Sequence, residues 1–322
     1  NGENKGIYAL EEHFDEHLLD NNYKKNSVIV RFNEDYLWKG NAVPKHASAP
    51  AEIWQNSLLD SHGKIDFSNN LNFSKAKILL KAHRDGYVTT SVAFNTEKLS
   101  TYLAICDLMD GNHAWNWNNL KFCYDSKTKK LEPIGFDKGR GFNIVTLIGT
   151  EIREEYDSKF RKNRFFSDLT FTKKYISKLN KISQPKYLDS LLEFLSPNIE
   201  KNLSIIYKDY WYFNYTTKYF KENQTFISRM LNPENPLVVT LKNDSLNFLE
   251  LINRHYLPIE LIKISKDSLN LKINVVDKII VGKEVNHPSE VKKIYLEDEF
   301  TKYADWTCYY KILGLNYTYK QK

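Results

Sequence analysis

The sequence predicts an α+β domain followed by a small all-β sandwich, and three observations carry that prediction. Leu120, Phe122 and Tyr124, then Ile134 and Phe136, alternate to point to one face on either side of a polar turn around Ser126 to Lys130, the pattern of a β-hairpin. From Phe160 to Leu231 apolar residues recur with a helical period, as in KKYISKLNKI and YLDSLLEFL. Beyond NPENP, Asn232 to Pro236, come the β-branched runs LVVTLKN, FLELIN, LPIELIKI, LNLKINV, KIIVGKEV and KKIYLE, separated by Asn, Asp, Pro and Gly at sandwich-like spacing. The expected division is residues 1–231, a linker at 232–236, and a sandwich over 237–322.

In chain order, GIYAL reads as a strand ending at Leu10, followed by a short helix through Leu19 and the strand SVIVRF. Two prolines and several small residues make Asn41 to Ala51 a loop. Asn95 or Thr96 can cap a helix running to about Met109, with Leu99, Leu103, Ile105 and Cys106 on its inner side. That helix ends at Gly111, and a polar loop leads into the hairpin. Within the later helical stretch, Pro185 and Pro197 predict breaks.

Composition excludes several classes. A chain of 322 residues with 42% hydrophobic and 14% aromatic content can bury a sizeable core, which argues against disorder. No apolar run approaches the roughly 18 residues needed to cross a bilayer, so no membrane span is expected. The formal net charge of +6 is spread among acids without a compact basic block, so a nucleic-acid partner is not expected. Three cysteines, Cys106, Cys123 and Cys308, show no metal-binding spacing, and buried thiols are the expectation. The chain opens in mid-motif, which suggests a fragment or processed product.

Three constellations carry possible chemistry. KAHRDG, at Lys81 to Gly86, contains the His-Arg-Asp triplet of protein kinases, yet Thr90 stands where an Asn should follow, and a whole helix separates it from the hairpin. His13 and His17 share a helix face without the adjoining Glu or third ligand of a zinc protease, which leaves them as solvated histidines. The third is HAWNWNNLKFCYDSKTKKLEPIGFD, His113 to Asp137. Polar residues open it, a hairpin fills it and an aspartate closes it, which is the order of catalytic loop, metal-binding Asn, two strands and metal-binding Asp in a kinase.

The opening NGENKGIYALEEHFD, the segment NNLKFCYDSKTKKLEPIGFD and the helical stretch from FFSDLTFTKKYISKL through NQTFISRML occur in the order found in the CotH kinase family, the spore-coat protein H-like atypical kinases, which the chain resembles. The resemblance implies a kinase-like domain that uses ATP and Mg²⁺ or Mn²⁺ to phosphorylate Ser or Thr on a protein substrate or a coat or surface protein. It also implies a bacterial, exported or cell-surface setting. By the same resemblance Asp137 and Asn119 would hold the metal, Glu12 and Arg31 would orient phosphate, and His113 or Asp110 would lie near the acceptor hydroxyl. Mg²⁺ asks for one or two carboxylates plus phosphate oxygens, and an imidazole can serve as a base.

The departures from the family pattern are specific. Many members end the hairpin in Trp-Asp-x-Asp, where this chain has Phe136-Asp137-Lys138-Gly139, and no Asp stands between Gly111 and Asn119. The family's upstream phosphate-binding strands are also expected to be missing. Phosphoryl transfer depends on positioning and charge neutralisation, so these losses predict slow turnover. Two other readings stay open: a catalytically silent kinase-like module acting in surface or coat assembly, and a phosphate-ester hydrolase using the same metal site.

Overall fold

The computed structural model describes residues 6–7, 12–22, 24, 26–33, 59–61, 71–137, 141–150, 158–243, 247–266, 271–273, 278–283, 289–295 and 306–321. The expected strand to Leu10 and the loop at 41–51 lie outside the described residues, as do Lys138 and Gly139. Within them, helices combine with antiparallel sheets, the α+β mixture the sequence predicts.

Helix α1 (Glu16–Asn21) runs two residues past the expected end, and Asp15 caps it by accepting from the His17 N–H at 2.9 Å. The first sheet joins β1 (Val28–Phe32), β2 (Leu59–Ser61), β3 (Lys121–Asp125) and β4 (Lys130–Ile134) in the order β2-β1-β3-β4, all antiparallel. One face presents Val28, Val30, Phe122, Tyr124 and Leu131 to α2 (Leu71–Asp85) and α4 (Thr96–Leu108), with the short α3 (Thr90–Ala93) between them. Asn95 caps α4, accepting from the Lys98 N–H at 3.3 Å. Ile105, expected inside, is only half-buried.

The hairpin forms at the expected residues, but its faces differ from the expectation. The turn pairs Asp125 with Lys130, so even-numbered residues of β3 share a face with odd-numbered residues of β4. Ile134 therefore pairs with Lys121, and Ile134 and Phe136 join Phe14, Leu19, Ile29 and Cys123 on the opposite side from Phe122 and Tyr124. Covered on both faces, β3 is buried at all five residues, Lys121 and Asp125 included.

The helical stretch becomes α5 (Ser158–Phe166), α6 (Leu169–Ile182), α7 (Pro185–Asp209) and α8 (Lys218–Leu231). Pro185 starts α7, where a missing N–H costs nothing. The break expected at Pro197 does not occur. Pro197 and Glu193, whose carbonyl loses its partner, are both exposed, so water can take the vacant bond and the helix continues.

Among the described residues eight strands follow. Strands β5 (Leu237–Asn243), β6 (Asn247–Asn253) and β10 (Val291–Tyr295) form a sheet in the order β10-β6-β5. Strands β7 (Ile259–Lys266), β8 (Leu271–Ile273), β9 (Ile279–Ile280), β11 (Thr307–Ile312) and β12 (Tyr319–Gln321) form another, ordered β12-β11-β7-β8 with β9 also on β7. Strands β11 and β12 have no counterpart among the sequence-predicted runs. Buried residues on both sides of NPENP, from Ile227 and Leu231 to Leu237 and Leu313, belong to one apolar cluster. Across that boundary His255 Nε2 lies 2.8 Å from the Met230 carbonyl, and the Tyr319 hydroxyl donates to the Leu231 carbonyl at 3.4 Å. All three cysteines are buried and free, as expected.

Candidate active site

The polar loop begins where α4 stops. Asp110 takes a left-handed backbone, φ 55°, and a short 3₁₀ turn spans Gly111–Trp115. A Cβ at Gly111 would sit 2.9 Å from the Cys106 Cα, so only glycine lets the loop pass this close to the helix. Trp115 and Trp117 are buried and anchor the loop in the core, while His113 between α4 and Trp115 faces outward. Asn119 is buried and donates from Nδ2 to the His113 carbonyl at 3.0 Å, and its Oδ1 accepts from Asn118 Nδ2 at 3.3 Å. Its first effect is thus to fix the backbone that carries His113.

The hairpin brings Asp137 to the same place. Three residues beyond β4, its backbone is also left-handed, φ 44°, a conformation that costs a non-glycine residue on the order of 1 kcal/mol and marks a position worth examining. Asp137 Oδ2 lies 3.1 Å from His113 Nε2, and the two side chains are 47% and 52% exposed. Asn116 Nδ2 stands 3.3 Å from His113 Nδ1. An amide nitrogen only donates, so Nδ1 accepts there and Nε2 carries the hydrogen that Asp137 receives. The pair stands at an open cleft of about 380 Å³ lined by Tyr102, Ile105, Met109, Ala114 and Phe136. A larger cavity of about 530 Å³, mostly apolar, lies between α6 and the C-terminal strands, away from these groups.

The other face of the sheet adds charge. Arg31, Lys121 and Ile134 form one row across β1, β3 and β4. Lys121 Nζ lies 3.5 Å from the Phe136 ring centroid and 5.3 Å from that of Phe14, a cation against two aromatic faces. Arg31 Nε donates to Asp60 Oδ1 at 2.9 Å. Glu12 is exposed and accepts from Asn21 Nδ2. Phe14, two residues on, meets Phe136 edge-on at 5.2 Å, which places the Glu12 segment beside the strand end that delivers Asp137.

A polar clasp holds the hairpin in place. Lys24 bridges Asp125 and Glu132, and Glu132 also accepts from Lys98 Nζ at 2.8 Å and Asn95 Nδ2 at 3.0 Å. Burial would raise both carboxyls, but for Asp125 the hydrogen bonds from Lys24 and the turn N–H groups, and for Glu132 those from Lys98, Lys24 and Asn95, outweigh it and hold each below its ordinary value. Burial alone would lower the Lys24 ammonium, yet its two carboxylate partners raise it. The far side of the loop is tied by Asp110 Oδ2, which accepts from the Phe142 N–H at 2.8 Å, and by Asn223, which bonds Leu108, Phe142 and Ile144. Buried Asp107 accepts from the Ile148 N–H at 2.8 Å and the Tyr175 hydroxyl at 2.6 Å.

The structure thus brings His113 and Asp137 together beside one cleft, leaves Asn119 buried and bonded to the His113 carbonyl, sets Asp110 at the loop entrance, and ranges Glu12 and Arg31 along the sheet's other side. Lys121 was missed by sequence reasoning; its only signal is a lysine between Leu120 and Phe122, where a surface residue is the usual reading. The His-Arg-Asp triplet is the end of α2, with His83 and Arg84 buried. His13 and His17 are exposed. Among the described residues, no group of three His, Cys, Asp or Glu side chains gathers as a ready metal site. No known protein-family model matches the chain, and no curated protein matches it.

Proposed function

We propose that the chain is a kinase-like module of the CotH type whose cleft at His113 and Asp137 takes ATP with Mg²⁺ or Mn²⁺ and passes phosphate slowly to a Ser or Thr hydroxyl of a protein. The observation that carries the reading is the meeting of a strand-delivered carboxylate with a loop imidazole at 3.1 Å, both open to solvent at a cleft mouth. Asp137 can spend one oxygen on the imidazole and the other on a divalent cation, which asks for few protein ligands when phosphates supply the rest. Bound there, the cation would neutralise phosphate charge. Asn119 keeps the loop in register, and by the resemblance its side-chain oxygen would be the neutral ligand of that cation. Arg31, Lys121 and Glu12 would set the electrostatics of the phosphate side.

His113 is the base of this reading. Its Nδ1 lone pair is presented once Asn116 turns aside, and Asp137 on Nε2 orients the ring for taking the hydroxyl proton. Asp110 is the alternative base, but its carboxylate is engaged by the Phe142 N–H. That engagement, with Asp137 the one carboxylate among the described residues lining the cleft, favours a second reading in which the module binds nucleotide without transfer and serves surface or coat assembly, with the C-terminal sheets as a sandwich domain beyond 232–236 supplying the contact surface.

The test is phosphate transfer from labelled ATP to Ser-rich peptides in Mg²⁺ or Mn²⁺. Slow transfer that His113→Ala removes is expected. Binding without transfer selects the silent module, and neither binding nor transfer overturns both readings.

A further inference from the structure

The larger cavity, about 530 Å³, is built from two sides. The helical side contributes Phe166 from the end of α5 and Thr172, Tyr175 and Ile176 from α6, and the sheet side contributes Leu257 before β7 and Ile279 of β9. Phe166 and Tyr175 meet edge-on at 5.0 Å, and Tyr175, Ile176 and Leu257 are buried, so the floor is set before any ligand arrives. Gly149 lies against the same two rings. A Cβ there would sit 2.6 Å from Tyr175 and 3.0 Å from Phe166, so only glycine lets this wall close on them. Leu169 and Val281, one from each side, are 40% and 47% exposed although both line the cavity. Protein interiors are close-packed, with few voids larger than a water molecule, whereas cavities of about 300–1,000 Å³ with apolar walls are the ordinary form of small-molecule sites.

We propose that this cavity binds an uncharged small molecule of mainly aromatic or hydrocarbon character. The polar groups decide the class. Thr172 Oγ1 donates to the Phe166 and Asp168 carbonyls at 2.9 and 3.0 Å, and Ser167 Oγ donates to the Arg164 carbonyl at 3.3 Å. The Tyr175 hydroxyl donates to Asp107 Oδ2 at 2.6 Å and accepts from the Gly149 N–H at 3.1 Å. With these groups bonded within the protein, a polar ligand that gave up its hydration here would leave donors and acceptors unpaired. The charged residues of the lining are Lys162 and Glu290, one of each sign, so the lining selects neither an anion nor a cation. An apolar molecule loses no hydrogen bonds on entry and covers Leu169 and Val281, and its gain grows with the apolar area removed from water.

Fluorescence titration with N-phenyl-1-naphthylamine, an uncharged aromatic dye that brightens in apolar surroundings, tests the proposal. The same ring system bearing a sulfonate, 8-anilino-1-naphthalenesulfonate, is the charged control. Saturable binding of the uncharged dye is expected, together with a raised urea midpoint of the chain in its presence. Binding about tenfold weaker is expected both for the sulfonate and for the double variant Leu169→Glu, Val281→Glu. Both positions are exposed, so the fold should tolerate the changes, and circular dichroism checks that it does. Leu169→Glu alone, with binding weakened about threefold, carries the same prediction if the pair does not fold. No saturable binding, undiminished binding by these variants, or tighter binding of the sulfonate overturns the proposal. Binding lost instead in Met109→Glu places the dye in the cleft beside His113 and overturns it too.

Discussion

His83 and His113 are the same residue in two regions of one domain, and the regions use it in opposite ways. His83 sits in the triplet that spells a kinase motif, 1% exposed, with Nε2 3.1 Å from Thr90 Oγ1 and its ring against Phe94 and Phe165 at 4.8 and 4.5 Å. Burial, helped by the Arg164 charge, pushes its pKa down to about 3, so it is a neutral packing element. His113 belongs to no recognised triplet, yet it is half-exposed at a cleft beside a carboxylate. Letters at the right spacing locate chemistry only when the chain leaves the side chain a route to substrate.

If that contrast holds, substitutions in the packed region cost stability, and substitutions at the cleft cost binding. The largest stability effect is expected for Asp107→Ala, which strands the Ile148 N–H and the Tyr175 hydroxyl in a buried site. A loss of about 3–5 kcal/mol in urea unfolding is predicted. His83→Ala should follow at about 2–4 kcal/mol, since it empties a fully packed ring site, while His113→Ala should stay within about 0.5 kcal/mol. Equal losses from the two histidines would break the comparison.

A smaller effect sharpens it. Because His83 titrates at about 3 when folded and at about 6.5 when free, the unfolded chain takes up the proton first as pH falls. Its contribution to stability is complete above about 6.5 and is lost progressively toward about 3. His83→Phe, with a ring of similar size and no titrating nitrogen, should therefore show a flatter decline of the urea midpoint between those values. Asp125 and Glu132, whose carboxyls are held low in both proteins, add the same acid loss to each and cancel in the difference.

Local signals made much of this legible. The Asn95 cap, the α4 stripe through Leu99 and Leu103, the hairpin and the start of α7 at Pro185 depend on neighbours a few residues away, and sequence periodicity records those. What escaped depends on distance or on parity. The faces of β4 follow from the count of turn residues, and one residue more or less would have reversed them. Arg31 finds Asp60 29 residues on, and Asn223 ties Leu108 from 115 residues away. Lys121 is hidden because the small cluster around Phe14 covers a sheet face that alternation alone leaves to solvent. Pro197 was misjudged because its cost depends on what stands opposite it, and there both Pro197 and Glu193 are exposed.

Asp137 is the group proposed to hold a cation and nucleotide at the cleft. Isothermal titration of ATP with Mg²⁺ or Mn²⁺ into the unaltered chain and into Asp137→Ala, with unfolding curves for both, measures that directly. Metal-dependent binding to the first, its loss in the second and unchanged stability are the predicted result; equal metal-dependent affinity in the two proteins would contradict it.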